Sequence, residues 1–419
     1  MKRKTLVAGI AIAGLALGTA ACSSPNSSSE VTELSIWTGF TGGDAAGYDT
    51  IVSAFNASHP GIHVTMTVQP WDTIQQKLPS AWLTGQGPDI AAPSSDPNVI
   101  AQYVKTKSLL ALTNTGDGDD KINVNALAPV TVDEFTYDQK LYAVPANLAT
   151  LSLYYNKKAF TAAGITTPPT TVAELKADAK KLTLDGGSTQ YGLALADNQT
   201  IQMWPVLQWL DGGDIVDQAT GCSVVDSAAN KKSLTEWAGL VTNDKISPVG
   251  LTGAEADSLF SAGKAAMEIN GPWAASGFKA AGIDLGIATV PVGVNGPVTL
   301  GSTVALAVSA KTKHPAEAQE FLAYWTSKNV QKAFSLQTGF PPMRTDLADD
   351  PELAADPTVS IFTSQVPNAR LYLPQVPEAT KVDSEAYVPM IGQITRGTSI
   401  DTSTSEAKAT INKLTGCAS

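Results

Sequence analysis

The chain has 419 residues and a formal net charge of −11, with 28 basic and 39 acidic residues. Apolar residues make up 43% of it and charged residues 16%, which excludes an intrinsically disordered chain. Its single long apolar run excludes a protein with several membrane spans, and its length favours two domains over one core.

The N-terminus predicts an export signal over residues 1–21. A basic start is followed by an apolar stretch from Leu6 to Leu17, too short to span a bilayer, and by small residues before Cys22. The sequence LGTAAC resembles the lipobox of bacterial lipoproteins, in which Cys22 becomes the lipidated first residue; an ordinary cleavage site is the alternative. Residues 22–31 would then form a flexible tether. We therefore expect anchoring by lipid at the outer face of a cell membrane, of the Gram-positive or actinobacterial type. Removal of residues 1–21 leaves 25 basic and 39 acidic residues, a net charge of −14 that disfavours nucleic acid as a partner.

The first elements predict an α/β domain with a largely parallel sheet. From Leu34, LSIWTGF is typical of a short strand, and DAAGYDTIVSAFNAS has the apolar spacing of an amphipathic helix that ends at His59-Pro60-Gly61. IHVTMTVQP, WDTIQQKLPSAWLTG and PDIAAPS then predict a strand, a helix and a buried strand. Such alternation is typical of helices packed on a parallel sheet.

The later elements predict a second α/β unit. LSLYYNKKAF, YGLALA, LGIATVPV and TVALAVS read as strands, and TTVAELKADAKKLT reads as a helix capped at Thr170-Thr171. HPAEAQEFLAYWTSKNVQKAFSL predicts one long helix with Pro315 and Glu317 in its first turn. TNTGDGDDKINVN predicts an acidic surface loop without the twelve-residue spacing of a calcium loop, so no metal site is predicted.

Two cysteines remain after Cys22, namely Cys222 and Cys417. An exported chain meets an oxidising setting, where such a pair can be bridged. A disulfide would tie the C-terminus to one domain. Two unpaired thiols are the alternative.

The sequence offers little support for catalysis. The three histidines, His59, His63 and His314, show no zinc-ligand spacing. There is no G-x-S-x-G elbow, no P-loop and no strand-linked G-x-G-x-x-G. We therefore expect no catalytic residue and no cofactor, although a glycoside hydrolase stays open because it needs only two facing carboxylates.

Aromatic side chains recur at predicted strand ends and turns: Trp37, Phe40, Trp71, Trp204 and Trp273. The polar residues Asp96, Asn147 and Arg344 also lie just after predicted strands. Open α/β sheets bind ligands beyond the carboxyl ends of their strands, and the interface between two domains is a favoured site. Flat aromatic rings suit the C–H faces of sugars, while carboxylate, amide and guanidinium groups suit their hydroxyl rims. The pattern thus favours a carbohydrate site.

Several segments, in this order, resemble the extracellular solute-binding lipoproteins of carbohydrate ABC importers, which include the maltose-binding proteins. They are SIWTGF with DTIVSAFNASHPGIHVTM, GQGPDIAA, LYAVPANLATLSLYYNKKAFTAAGITTPPTTVAELKADAKKL, FSAGKAAMEINGPWA, AEAQEFLAYWTSKNVQKAF and GFPPMRTDL. The likeness covers nearly all of the mature chain.

The resemblance implies an α/β, two-lobed, periplasmic-binding-protein-like fold of type II, with discontinuous domains joined by a hinge. The expected N-terminal lobe comprises residues 32–145 and 303–337, and the C-terminal lobe residues 146–302 and 338–419. Crossings between lobes are expected near Val144–Leu148, Leu300–Val304 and Gln337–Phe340.

The resemblance also implies roles for individual residues. Trp273 matches a ring-stacking tryptophan, and Asp96 falls where a sugar-hydroxyl carboxylate is found. Pro93 and Ala149 replace a tryptophan and a glutamate of the maltose binders, so a maltodextrin ligand is not indicated. The full expected ligand set is Trp37, Thr38, Gly39, Phe40, Trp71, Asp96, Asn147, Trp204, Gly271, Trp273, Gly301, Arg344 and Asp383.

The expected function is capture of a sugar or oligosaccharide at the cell surface, and its delivery by a monomeric protein to the transmembrane permease subunits of an ABC transporter. Hinge closure would hold the ligand, and no bond would be made or broken. The alternatives are a binding protein for a non-sugar solute, such as a polyamine or a polyol phosphate, and a secreted glycoside hydrolase.

Overall fold

The computed structural model describes residues 31–118, 120–199, 203–217, 219–374, 376 and 378–417. The predicted signal peptide, Cys22 and all of the predicted tether except Val31 lie outside these residues. Within the described part of the chain, the helices are too short or too polar to cross a bilayer.

Strands and helices alternate in the first part of the chain and come in longer runs after it. The strands are β1 (Thr32–Thr38), β2 (Ile62–Val68), β3 (Ile90–Ala91), β4 (Thr136–Tyr137), β5 (Lys140–Leu141), β6 (Ala143–Pro145), β7 (Ala149–Thr150), β8 (Ser152–Asn156), β9 (Met267–Asn270), β10 (Leu285–Ala288), β11 (Thr299–Ser302), β12 (Ala305–Val308) and β13 (Ala369–Leu371). The helices are α1 (Ala45–Ser58), α2 (Trp71–Thr84), α3 (Val99–Lys105), α4 (Pro129–Asp133), α5 (Lys157–Ala162), α6 (Val172–Lys181), α7 (Met203–Leu210), α8 (Ala228–Thr242), α9 (Gly253–Ser261), α10 (Ala275–Ala280), α11 (Pro315–Trp325), α12 (Lys328–Thr338), α13 (Pro351–Ala355), α14 (Pro357–Gln365), α15 (Ala379–Val382), α16 (Val388–Thr395) and α17 (Ile400–Thr415).

The largest sheet has the strand order β2-β1-β3-β12-β6. Strands β2, β1 and β3 are parallel, as the sequence predicts, whereas β12 runs antiparallel to both β3 and β6. Alternate residues of β1, such as Leu34 and Ile36, are buried in the core beneath the helices. The hydrophobic alternation of LSIWTGF therefore sets which face of the strand points inward.

The strands from β7 onward, apart from β12, build two smaller sheets, β10-β8-β9 and β13-β11-β7. Strand β8 pairs antiparallel with both of its neighbours. The prediction of a strand at YGLALA is wrong. Its residues are largely buried, but they make only isolated bridges, from Tyr191 to Ala265 and from Ala194 to Glu268. The apolar pattern here indicates burial without continuous strand pairing.

Buried apolar side chains form two main cores, which define two lobes. The first lobe has a core drawn from residues 34–149 and 304–343, and the second lobe has a core drawn from residues 151–300 and 362–411. The chain changes core between Ala149 and Leu151 and again between Leu300 and Val304. Its last change follows Met343, downstream of the expected crossing near Gln337–Phe340.

The long helix predicted after His314 is two helices, α11 and α12. Ser327 between them has an extended backbone, with φ −67° and ψ 154°. Two carbonyls freed by the break accept side-chain hydrogen bonds, that of Trp325 from Gln331 Nε2 at 2.7 Å and that of Thr326 from Arg344 Nη1 at 2.9 Å. Because these buried groups are satisfied by side chains, the helix can end without an unpaired polar atom.

A disulfide joins Cys222 to Cys417, with an S–S distance of 2.06 Å and the two Cα atoms 5.6 Å apart. Cys417 directly follows the left-handed C-cap Gly416 of α17. The bridge therefore fixes the end of α17 to the loop that carries Cys222 in the second lobe.

Candidate ligand-binding cleft

Two of the segments that connect the lobes run side by side and form a hinge. Strand β7 pairs antiparallel with β11, where Gly301 faces Thr150. Next to this pair, Asn147 holds three partners: its carbonyl accepts from Thr303 Oγ1 at 2.7 Å, its Oδ1 accepts from Val304 N at 3.1 Å, and its Nδ2 donates to Tyr48 Oη at 2.6 Å. Asn147 thus ties the connecting segments to the first lobe.

A cavity of about 280 Å³ lies between the lobes beside this hinge, and we call it the tryptophan chamber. The first lobe contributes Gly39, Phe40, Asp44, Trp71, Asn147 and Phe340 to its lining. The second lobe contributes Met203, Asp257, Glu268, Asn270 and Trp273.

Two indole rings are held in this chamber by close contact with glycine. A Cβ atom on Gly39 would lie 2.0 Å from the ring of Trp71, and one on Gly271 would lie 2.2 Å from the ring of Trp273. Only a residue without a side chain lets each ring lie flat against the backbone. Trp273 is half-buried and packs against the cores of both lobes, so its ring spans the gap between them.

The polar wall of the tryptophan chamber is acidic. Burial raises the pKa of Asp44 to about 6. Burial also raises the pKa of Glu268 well above its usual value, and the charge of Asp257 adds to this effect. Asn270 Nδ2 donates to Asp257 Oδ1 at 2.7 Å and to Glu268 Oε1 at 3.0 Å. Burial and the neighbouring Asp257 thus favour the protonated form of Glu268 over the charged form.

A second cavity of about 180 Å³ adjoins the first, with Ser95 and Ser302 lining both. We call it the acidic chamber because carboxyl groups from both lobes face it. The first lobe contributes Asp96, Asn98 and Glu134, and the second lobe contributes Gly301, Tyr372 and Asp383.

Hydrogen bonds and contacts already join the lobes around both chambers. Thr380 Oγ1 donates to Asp96 Oδ2 at 3.2 Å beside the acidic chamber. Ser276 Oγ donates to the carbonyl of Gly43 at 2.9 Å beside the tryptophan chamber. The ring of Trp273 also lies 6.4 Å from that of Phe340, centroid to centroid. The two lobes are thus in direct contact across the cleft.

Most of the expected ligand residues line one of the two chambers. In the tryptophan chamber these are Gly39, Phe40, Trp71, Asn147 and Trp273; in the acidic chamber they are Asp96, Gly301 and Asp383. A larger cavity, of about 1110 Å³, lies elsewhere, between α1, α11 and α12 on the first lobe, and none of the expected ligand residues lines it.

Trp204 and Arg344 were expected to contact the ligand, but neither residue lines a chamber. Trp204 is 0% exposed, its indole N–H donates to the carbonyl of Ala196 at 2.9 Å, and it belongs to the core of the second lobe. Arg344 is buried and pairs with Asp346 at 2.8 Å while it donates to the carbonyl of Thr326. Both side chains are occupied by structural contacts away from the two chambers.

Three more expected residues do not line either chamber. Trp37 packs half-buried against the core of the first lobe, and Thr38 is buried in β1. Gly271 supports Trp273 from beneath, while its carbonyl accepts a hydrogen bond from Tyr154 Oη at 2.7 Å. Gly271 therefore positions a ring and does not itself line the cavity.

Sequence reasoning missed several acids and one amide: Asp44, Glu134, Asp257, Glu268 and Asn270. One of them carried a usable signal. Glu268 lies in the strand MEIN, which is otherwise flanked by small and apolar residues, and a carboxyl in a buried strand is uncommon without a function. The others lie in loops, at element ends or in a helix, where an acid is ordinary.

Comparisons with known proteins agree with this architecture. A family model described as bacterial extracellular solute-binding protein matches residues 50–361. The galactooligosaccharide-binding protein of Bacillus subtilis is 27% identical over 422 residues, covering 97% of this chain and 96% of that protein. The maltotriose-binding protein of Pyrococcus abyssi is 25% identical over 356 residues, covering 82% and 73%.

The GacH receptor of Streptomyces glaucescens, solved unliganded and in complex with acarbose, superimposes with a TM-score of 0.82 at 26% identity, over 92% of this chain and 99% of that one. This likeness confirms the expected two-lobed fold of mixed helices and open sheets. Since the family model also covers well over half of the sequence, the chain belongs to the bacterial extracellular solute-binding proteins.

Proposed function

We propose that the protein captures a sugar or oligosaccharide outside the cell and delivers it to the permease of an ABC transporter, without making or breaking a bond. The observation that carries this proposal is the tryptophan chamber, in which Trp71 from one lobe and Trp273 from the other line one cavity. Indole faces suit the C–H faces of sugar rings, and the acid and amide groups between them can accept and donate to hydroxyls.

The relatives support a carbohydrate as the ligand. Those from Bacillus subtilis and Pyrococcus abyssi are named for galactooligosaccharide and maltotriose binding, and both are binding proteins. An anionic ligand such as a polyol phosphate is disfavoured, because no Lys, Arg or His occurs among the described residues that line the two chambers.

A glycoside hydrolase is also disfavoured. Its two carboxyls must flank the scissile bond with a substrate between them. In the tryptophan chamber, Asp257 and Glu268 instead bind the same amide nitrogen of Asn270. Such an arrangement suits the binding of hydroxyl groups.

Capture would work by hinge closure. A ligand that contacts Trp71 on one lobe and Trp273 on the other stabilises the closed form by the difference in its affinity for the two forms. The paired segments at Asn147 provide the hinge, and the closed surface would dock on the permease. Lipidation at Cys22 would keep the monomeric protein beside its transporter.

The test is calorimetry and thermal denaturation with a panel of mono- and oligosaccharides. At least one sugar should raise the melting temperature and bind with measurable heat, and it should be recovered intact. Trp273→Ala should weaken binding of that sugar at least about tenfold, because the ring supplies one face of the site. Trp37→Ala is the matched control, since it removes a half-buried indole that lines neither chamber, and it should keep the affinity. Absence of binding across the panel, or hydrolysis of the sugar, would refute the proposal.

A further inference from the structure

The acidic chamber gathers carboxyl groups without a basic residue among its described lining residues. Asp96, Glu134 and Asp383 line it from three distant parts of the chain. Arg370, beside the lining residue Leu371, pairs with Asp214, and Lys381 on α15 pairs with Glu378 and has its side chain 57% exposed. Both positive charges are thus already paired.

Glu134 is the residue that points most directly to a ligand. It is 6% exposed and lines the cavity from the end of α4. Its carboxyl accepts no hydrogen bond from any described residue, whereas Asp96 accepts from Asn98 and Thr380, and Asp383 accepts from Tyr372. The carboxyl of this largely buried residue is therefore free to accept hydrogen bonds from a donor that enters the chamber.

Burial and a neighbouring carboxyl disfavour the ionisation of Glu134. Burial, followed by the charge of Asp96, raises the pKa of Glu134 to about 7. Burial also raises the pKa of Asp383 to about 7, with Asp96 again adding to the effect. Tyr137 and Tyr372 are the phenols that face these acids, and burial raises the pKa of both. A cation in the chamber would favour the ionised form of these carboxyls.

The chamber suits an organic cation better than a metal ion. Among the described residues, no three His, Cys, Asp or Glu side chains converge as metal ligands. The chamber is large enough for an ammonium group with its carbon substituents, and Ser95 and Ser302 also line the tryptophan chamber. A ligand could therefore place its rings between the indoles and a substituent among the carboxyls.

We propose that the acidic chamber binds the protonated amine of an amino sugar whose rings occupy the tryptophan chamber. This inference rests on the proposed capture of sugars and specifies their class. An ammonium group offers three donors, which matches the free oxygens of Glu134 and Asp383. Charge-assisted hydrogen bonds of this kind should favour an amino sugar over its hydroxyl counterpart by roughly 10- to 100-fold.

The test compares matched probes by calorimetry at neutral pH. Glucosamine is paired with glucose, galactosamine with galactose, and the disaccharide of two β-1,4-linked glucosamines with cellobiose. In each pair that binds, the amine should bind at least about tenfold tighter, and N-acetylation should abolish the preference, because it removes the charge and leaves the ring. Binding of the amine should also release protons, seen as an observed heat that depends on the buffer, since the cation drives ionisation of carboxyls that are partly protonated.

Glu134→Gln should reduce the ratio of the amine's affinity to that of its neutral partner at least about tenfold. Asp133→Asn is the matched control, because it removes the same charge from an exposed neighbour on α4 and should keep the preference. Asp383→Asn provides a second variant if Glu134→Gln does not fold.

The possible outcomes separate this inference from the proposed function. If neutral sugars bind as tightly as their amines, the amine site is refuted while sugar capture stands. If spermidine or Ca²⁺ binds more tightly than every amino sugar, the chamber has been assigned to the wrong cation. If no sugar of either kind binds, the proposed function itself fails.

Discussion

Replacing Glu134 by Gln should make the protein less sensitive to rising pH. Burial and the charge of Asp96 raise the pKa of Glu134 from an ordinary 4.5 to about 7. At about 1.4 kcal/mol per pH unit, ionising this carboxyl costs about 3 kcal/mol more in the folded protein than in the unfolded chain. Between these two pKa values the folded state holds the extra proton, so the free energy of unfolding falls as pH rises through about 7.

The measurement is urea unfolding of the wild type and of Glu134→Gln at about pH 4 and about pH 8. The cost of burying an amide is the same at both pH values and cancels in the comparison. From the lower to the higher pH, the free energy of unfolding of Glu134→Gln should rise by about 3 kcal/mol relative to that of the wild type. For Asp133→Asn, at an exposed position, this relative change should be far smaller. If the free energies of unfolding of the wild type and of Glu134→Gln differ by the same amount at both pH values, then Glu134 does not ionise at a buried site. The account of the acidic chamber would then be wrong.

Two further predictions concern the second lobe and the indole rings. Replacing Cys222 and Cys417 by Ser should lower the free energy of unfolding by up to about 5 kcal/mol, because the bridge closes a loop with a sequence separation of 195 residues. The double variant should keep its affinity for sugar, and a loss of binding in calorimetry would contradict this. Gly39→Ala should weaken sugar binding about tenfold or more, since a Cβ would lie 2.0 Å from the Trp71 ring and displace it. Gly61→Ala, where a Cβ meets no atom within 4 Å, is the control, and equal affinity of both variants would refute the role of the ring.

Much of the fold could be predicted from local pattern. The alternation of LSIWTGF correctly predicts β1, and the apolar spacing after it correctly predicts α1. Periodicity indicates which face of an element is buried, and so which type of element forms. The expected cap of α6 is present, with Thr171 and Glu174 forming a capping box. The break between α11 and α12 was missed, and part of what stabilises it is remote: Arg344 donates to a carbonyl that the break exposes.

The candidate site was predictable only in part, for a similar reason. Trp273 and Trp204 both lie near element boundaries, and each was expected to face a ligand. Trp273 spans the two cores beside a cavity, whereas Trp204 is enclosed by the second core. The difference between these two indoles lies largely in what other parts of the chain bring against them.

The sequence by itself determined the alternation of strands and helices, the cysteine pair available for a bridge, and the family through the order of its motifs. The tertiary structure alone decided that Asp96, Glu134 and Asp383 share one chamber and that Glu268 faces Asp257. Periodicity and caps act over a few residues, so they can be read along the chain. A carboxyl's neighbours, burial and pKa depend on how distant segments pack, and here they depend on two lobes meeting across a hinge.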